Sequence, residues 1–317
     1  MTETRVLLAG FSGGPNQNHQ SEMWAPKLQE AGLLASEIWV PSSTSGVELE
    51  QAGVLAARLG LPLQVSAMPE TSAACAIVCL QGEDRLRFLR FAAERKLPVL
   101  LDKPTLSDTA ELQQLAELPT TIIAPHHFSA HPSFTRAMSA VRGAEFGLLR
   151  AVAVELVVAA GDGAYPGGEL RNLGVYAVDL LRSATGPAQL SLQAHGTGES
   201  WSMLGQTDRD VVVSAHISRT SESAGGSGVL RAAVRFVGTH GSMLVDLMKP
   251  AFQVQRPDGV TRVQFGEDSV VSQLRALVAH SKGSARVTPN LDLVVLSRAL
   301  DQIEASAKSG SEITLTW

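Results

Sequence analysis

At 317 residues, with 44% hydrophobic and 18% charged residues, the chain is long enough for two domains of ordinary size, each with a core. A net charge of −5 and an aromatic content of 5% argue against nucleic acid as a partner, and no apolar run reaches the length of a membrane span. The opening MTETRVLLAGF places an acidic residue ahead of a short apolar run, so no signal peptide is expected and the cytoplasm is the default compartment.

Arg5–Gly10 reads as a strand that runs straight into FSGGPNQNH. A strand, a glycine-rich turn and a helix together place a pyrophosphate on helix N-terminal amides. Gly10 fits the first glycine of G-x-G-x-x-G. Ser12 and Pro15 hold the other two positions, with Gly13 and Gly14 as substitutes, and a plain tight turn competes equally. Ser36–Val40 is a second strand. A dinucleotide fold places a ribose-binding carboxylate at its end, but here stand Pro41, Ser42, Ser43 and Thr44. Hydroxyls tolerate a 2′-phosphate better than an acid does, which tips the cofactor slightly from NAD towards NADP.

Val47–Leu59 carries apolar residues at helical spacing. Ala74–Leu80 is a third strand, holding Cys75 and Cys79 as small buried hydrophobes with no disulfide framework. Arg85–Lys96 is a helix, and Val99–Leu101 is an apolar strand that stops on Asp102, Lys103 and Pro104. Ligands of open parallel sheets bind beyond the carboxyl ends of the strands. Lys103 is placed there to act as acid, base or clamp, against the plain reading of a surface lysine. Ser107–Leu118 is a helix and Thr120–Ala124 a strand. This alternation predicts a Rossmann-like, doubly wound parallel sheet in an N-terminal α/β domain, residues 1–123.

Residues 124–317 read differently. Leu148–Ala160 is a long strand and Gly168–Ser183 a helix. Strands follow at Gln189–His195, Asp210–Arg219, Val229–Val237, Ser242–Leu247, Phe252–Gln255 and Val260–Phe265. In Asp210–Arg219, Val211, Val213, Ala215 and Ile217 fall on one face. Ser269–His280 and Leu291–Ala307 are closing helices, and Ile313–Trp317 is a last strand. The expectation is an α+β domain with a large, mainly antiparallel sheet.

Within Gly167–Leu181, Asn172, Tyr176 and Asp179 lie at i, i+4 and i+7, one stripe of a helix. The stripe is either a pocket wall or a solvated face. His126, His127 and His131 cluster, but adjacent histidines on an extended segment point to opposite faces, so no metal site is expected. His127 is a candidate pocket residue, with loop packing an equal alternative. The same holds for Asp162 and Tyr165 in GDGAYPGG, against a plain surface turn.

Four blocks resemble the glucose–fructose oxidoreductase/myo-inositol dehydrogenase (Gfo/Idh/MocA) family: VLLDKPTLSDTAEL; HHFSAHPSF with FGLLRAV after it; GGELRNLGVYAVDLL; and GTHGSMLV with the closing helix and strand. The resemblance implies an N-terminal domain binding NAD or NADP through Gly10, Ser12, Gly13, Gly14, Ser42, Ser43 and Lys103. It implies a C-terminal domain for substrate binding and oligomerisation, in a homodimer or homotetramer. The implied reaction is hydride transfer at a carbinol carbon of a sugar, cyclitol or related polyol. Lys103, Tyr176 and Asp179 take the catalytic positions and Asn172 stands where the family usually has an aspartate, a substrate-binding candidate beside His127, Asp162 and Tyr165, which rest on the residues alone. The chain departs from the family pattern at Asp102 (usually Glu), Asn172 (usually Asp), Ser129 (often Arg), the glycine fingerprint and CLQGEDR. These departures motivate a second reading, a member without redox activity that serves as a small-molecule-binding or accessory subunit.

Overall fold

A computed structural model describes residues 4–11, 18–44, 46–102, 109–124, 127–162, 167–221, 228–249, 251–264, 268–284 and 291–317. The chain forms two compact units, one of Met1–Pro125 with Val270–Val294 and one of His126–Ser269 with Val295–Trp317.

In the first unit β1 (Thr4–Gly10) leads into a π-helical turn, Gln20–Trp24, and two 3-10 turns, Ala25–Lys27 and Gln29–Ala31. Then come β2 (Leu33–Pro41), α1 (Gly46–Leu59), β3 (Leu63–Ser66), β4 (Cys75–Cys79), α2 (Gly82–Glu94), β5 (Val99–Leu101), α3 (Thr109–Ala116) and β6 (Ile122–Ile123). The six strands pair in parallel in the order β3-β2-β1-β4-β5-β6. Strand order reverses between β1 and β4, where the register sets Leu8 beside both Ile38 and Ile77. In open parallel sheets this switch point is where a ligand crevice forms.

The central strands β1, β4 and β5 are almost wholly apolar and buried, as strands covered on both faces are. Val6, Leu8, Ile38, Val40, Cys75, Ile77 and Leu100 belong to a core that also takes Trp24, Leu28 and Leu55. Val271, Leu274 and Leu277 of α7 (Ser269–Ser281) join the same core, so a helix late in sequence returns to the first unit. Trp39 of β2 stacks on Phe88 of α2 with ring centroids 5.4 Å apart.

Several features differ from the sequence reading. The α-helix expected after the glycine-rich turn is replaced by the π and 3-10 turns. β3 was not anticipated, because LQVS is half-exposed at the sheet edge and shows no alternation. The helix expected at Gly168–Ser183 is two helices, α5 (Gly168–Asn172) and α6 (Gly174–Thr185), broken at Leu173 with φ −110° and ψ −19°.

The second unit begins with α4 (Pro132–Arg142), also unanticipated. His131 caps it, and Pro132 stands where a helix tolerates proline. Strand β7 (Leu149–Val158) precedes α5 and α6. Then follow β8 (Gln189–Gly196), β9 (Ser200–Thr207), β10 (Val212–Arg219), β11 (Val229–Gly238), β12 (Gly241–Asp246), β13 (Ala251–Arg256), β14 (Gly259–Gln264), α8 (Leu291–Ser309) and β15 (Ile313–Thr316). β9 escapes a sequence reading because Leu204 is 64% exposed and Gly205 interrupts the alternation of buried Trp201 and Met203.

The sheet order is β14-β13-β12-β11-β7-β10-β9-β8-β15. Every pair is antiparallel except β7–β10, which run parallel with Val213 beside Val152 and Ile217 beside Leu156. A parallel pair needs a crossover, and α5, α6, β8 and β9 lie in sequence between these two strands. Helix α6 packs over β7 and β10, and α4 over β12 and β13. The expected faces of β10 are observed, with Val211, Val213, Ala215 and Ile217 all buried. The fold is thus a Rossmann-like parallel sheet plus a mixed, mostly antiparallel sheet. No helix among the described residues is long and apolar enough to cross a membrane.

Candidate functional site

The first unit's crevice is built from strand ends. Gly10 closes β1 with φ +76°, and a Cβ there would lie 2.3 Å from the carbonyl oxygen of Cys79. Only glycine lets β1 turn this close to β4. Gln20 lies over the same point, wholly buried. Its Nε2 donates to the carbonyls of Gly10 (3.4 Å) and Ile77 (3.2 Å). Its Oε1 is buried and has no hydrogen-bond partner among the described residues. A buried acceptor without a donor is costly, and here it sits at the switch point where a dinucleotide enters this fold. The cradle and this oxygen fit a bound dinucleotide.

Asp102, at the end of β5, is fully buried. Its backbone N–H donates to Val78 (2.8 Å), and its carboxylate accepts from Trp24 Nε1 (3.1 Å) and His19 Nδ1 (2.7 Å). A buried carboxylate persists when charge-assisted or polar donors surround it. This cluster was not anticipated, since His19 and Asp102 lie 83 residues apart and no spacing rule connects them. The residue next to Lys103 is therefore locked by two elements. Lys103 itself lies outside the described residues, as do Ser12, Gly13 and Gly14.

At the end of β2, the backbone N–H of Ser42 donates to Ser66 (3.1 Å), and Ser43 Oγ donates to Asp84 Oδ2 of α2 (2.9 Å). Asp84 is also ion-paired with Arg87. On β4, burial raises the Cys75 thiol to about 12. Burial, then the nearby carboxylates Asp102 and Glu48, push Cys79 up as well. Both thiols are inert as nucleophiles at neutral pH.

In the second unit, α6 is buried from Gly174 to Leu181. Tyr176 is 5% exposed and Asp179 6%, so the polar stripe is not a solvated face. The Tyr176 ring meets the edges of His127 (centroids 5.7 Å) and Phe128 (5.3 Å). Ser129 Oγ donates to the Asp179 carboxylate. The segment 127–129 and one face of α6 thus bring together His127, Tyr176 and Asp179.

Asn172 lies on α5, ahead of the break at Leu173. It is buried and donates from Nδ2 to Glu169 Oε2 (2.8 Å). The other Glu169 oxygen accepts from Arg219 Nε (2.7 Å), whose Nη1 donates to the carbonyls of Ala159 (3.4 Å) and Ala160 (3.0 Å). Asn172 therefore works inside a buried polar network tying α5 to the end of β7. Asp162 ends a 3-10 turn, Ala160–Asp162, and Tyr165 and His126 lie outside the described residues.

No protein-family model and no curated protein matches the chain. Solved structures do. A levoglucosan dehydrogenase in complex with NADH and levoglucosan aligns over 99% of both chains, with TM-score 0.79 and 13% identity. An oxidoreductase from Agrobacterium radiobacter in complex with NAD+, L-tartaric acid and magnesium also aligns over 99% of both chains, with TM-score 0.78 and 13% identity. A UDP-N-acetylglucosamine 3-dehydrogenase from Acidithiobacillus ferrooxidans covers 98% of this chain and 99% of its own, with TM-score 0.76 and 15% identity. At such identities the likeness is one of fold, and it extends over both units in the same chain order.

Proposed function

We propose that the chain is a Gfo/Idh/MocA-like oxidoreductase that uses NAD or NADP to move a hydride to or from a carbinol carbon of a sugar, cyclitol or related polyol. The observation that carries this reading is the buried grouping of Tyr176 and Asp179 on α6, with His127 and Ser129 against them. It occurs in a chain whose first unit has the dinucleotide-type switch point. The neighbours of like fold that bind NAD+ or NADH with sugar-like ligands support it.

In this proposal residues 1–123 bind the dinucleotide, through the Gly10 turn, Gln20 and the end of β2, and residues 124–317 shape the substrate pocket. A bound nicotinamide ring supplies or accepts the hydride. The chain supplies the proton transfer. The Tyr176 hydroxyl takes or returns the carbinol proton, and Lys103 is assigned the cation that lowers the phenol from its ordinary value of about 10 into working range. Asp179, which accepts from Ser129, binds a substrate hydroxyl. His127 shapes the pocket wall beside the phenol.

Turnover of a polyol panel with each dinucleotide tests the assignment. Tyr176→Phe keeps the ring packing and is expected to lower kcat by about 100-fold or more, the usual worth of a general acid–base. Lys103→Met should do the same. Unchanged turnover in either variant would remove that residue from the mechanism.

A specific observation favours the second reading, a member without redox chemistry. The segment after β1 is a π turn and two 3-10 turns instead of the α-helix whose N-terminus ordinarily receives the pyrophosphate. Calorimetric titration with NAD+, NADH, NADP+ and NADPH separates the two. Micromolar binding of one pair supports the oxidoreductase, and binding of none supports the accessory or small-molecule-binding subunit.

A further inference from the structure

Resting on the proposed oxidoreductase function, we infer that Asp84 makes this protein selective for NAD over NADP, supplying from α2 the ribose carboxylate that the end of β2 lacks. The last residues around the β2 turn are Pro41, Ser42 and Ser43, none of them acidic. Ser43 and Asp84 are 41 residues apart in sequence. Yet Ser43 Oγ donates to Asp84 Oδ2 at 2.9 Å, so the carboxylate stands at the carboxyl end of β2. In a doubly wound sheet that is the position where an acidic side chain takes the ribose hydroxyls.

The chemistry discriminates by charge. A carboxylate has about four lone-pair sites. Ser43 takes one on Oδ2 and Arg87 pairs at Oδ1, leaving acceptor capacity for a ribose 2′-hydroxyl. A 2′-phosphate in the same place brings like charge against Asp84, which is repulsive. The Asp84 side chain is 28% exposed, reachable by a ligand yet partly withdrawn from water, which limits screening.

Arg87 is the counterweight. Its side chain is 51% exposed, and its guanidinium is occupied by Asp84. Arginine forks match phosphate geometry well. Without Asp84, the crevice end would present Ser42, Ser43 and a released Arg87, the groups that receive a 2′-phosphate. Asp84 thus both reads the ribose hydroxyl and withholds the arginine that would read the phosphate.

The test is calorimetric titration of the full chain with NADH and NADPH, for the wild type, Asp84→Ala, Asp84→Ser and the double variant Asp84→Ala/Arg87→Ala. The wild type is expected to bind NADH about tenfold or more tighter than NADPH. Asp84→Ala and Asp84→Ser should lose that preference and move towards NADPH by about tenfold or more, and the double variant should lose the gain in NADPH affinity. A wild-type preference for NADPH, or a preference unmoved in both Asp84 variants, overturns the inference and leaves the oxidoreductase reading standing. Failure of the wild type to bind either dinucleotide overturns both.

Discussion

His131 caps α4 by accepting the backbone N–H of Ser133 on its Nδ1 at 3.2 Å, which requires an unprotonated nitrogen. It is buried, and burial lowers its pKa below the usual histidine value, against the opposing pull of Asp268 and Asp246. The sign of the consequence follows from linkage. The unfolded chain binds the proton more readily than the folded one, so stability rises with pH across the window between the two pKa values. The contribution is fully present above about 6.5, the ordinary histidine value, and is lost as pH falls through the depressed folded value. Urea midpoints are therefore expected to drop between pH 7.5 and 5.5. His131→Asn keeps a capping side chain without a titratable ring, so the drop should be smaller in that variant. Equal drops in both proteins would show that His131 is not the group responsible.

The break at Leu173 sets which polar residues share a face, and Gly174 is what permits it. A Cβ on Gly174 would lie 2.8 Å from Leu170 Cδ1 and 3.1 Å from Leu300 Cδ2. Both leucines are at most 1% exposed, so neither has free space to move into. Alanine gains about 1 kcal/mol of helix propensity over glycine, and overpacking a closed core costs about 1–3 kcal/mol. The second effect wins narrowly. Gly174→Ala should destabilise the protein by about 1 kcal/mol, and Gly174→Leu by well over that, as read by chemical denaturation. A stabilised Gly174→Ala would mean that α8 shifts easily at Leu300. The same elements show what was legible beforehand. Buried strands such as β1 and β4 announce themselves by unbroken apolar runs, and β10 by alternation, because one-dimensional patterns record which face is covered. The helix break was invisible, since the leucines crowding residue 174 come from α5 and α8. The grouping of Tyr176 with Asp179 was legible because both lie on one short helix. The pairs His19–Asp102, Ser43–Asp84 and Glu169–Arg219 were not, because topology rather than spacing brings them together.

At the scale of the whole molecule, helices α4 and α6 pack over the nine-stranded sheet of the second unit, and among the described residues β9 and β10 leave side chains of their other face exposed. That face carries Leu204 at 64% and Val212 at 45% exposure, beside Ser202 and His216, which hydrogen-bond to each other at 3.1 Å. Nine strands spaced about 4.8 Å apart, each about 25 Å long, present on the order of 1,000 Å². A stable interface needs roughly 800 Å² from each partner, so the face is large enough to join two copies of this chain, as we propose it does. An antiparallel sheet faces water on one side when that side is polar, and the oligomeric state separates that outcome from assembly. Light scattering should give a dimer or tetramer for the wild type. The double substitution Leu204→Glu and Val212→Glu should convert it to monomer, because it buries like charges against each other in a symmetric contact. The exposed face has no core role, so the thermal midpoint at low protein concentration should change little. A monomeric wild type would refute the assembly, and an oligomer untouched by both charges would place its interface elsewhere on the chain.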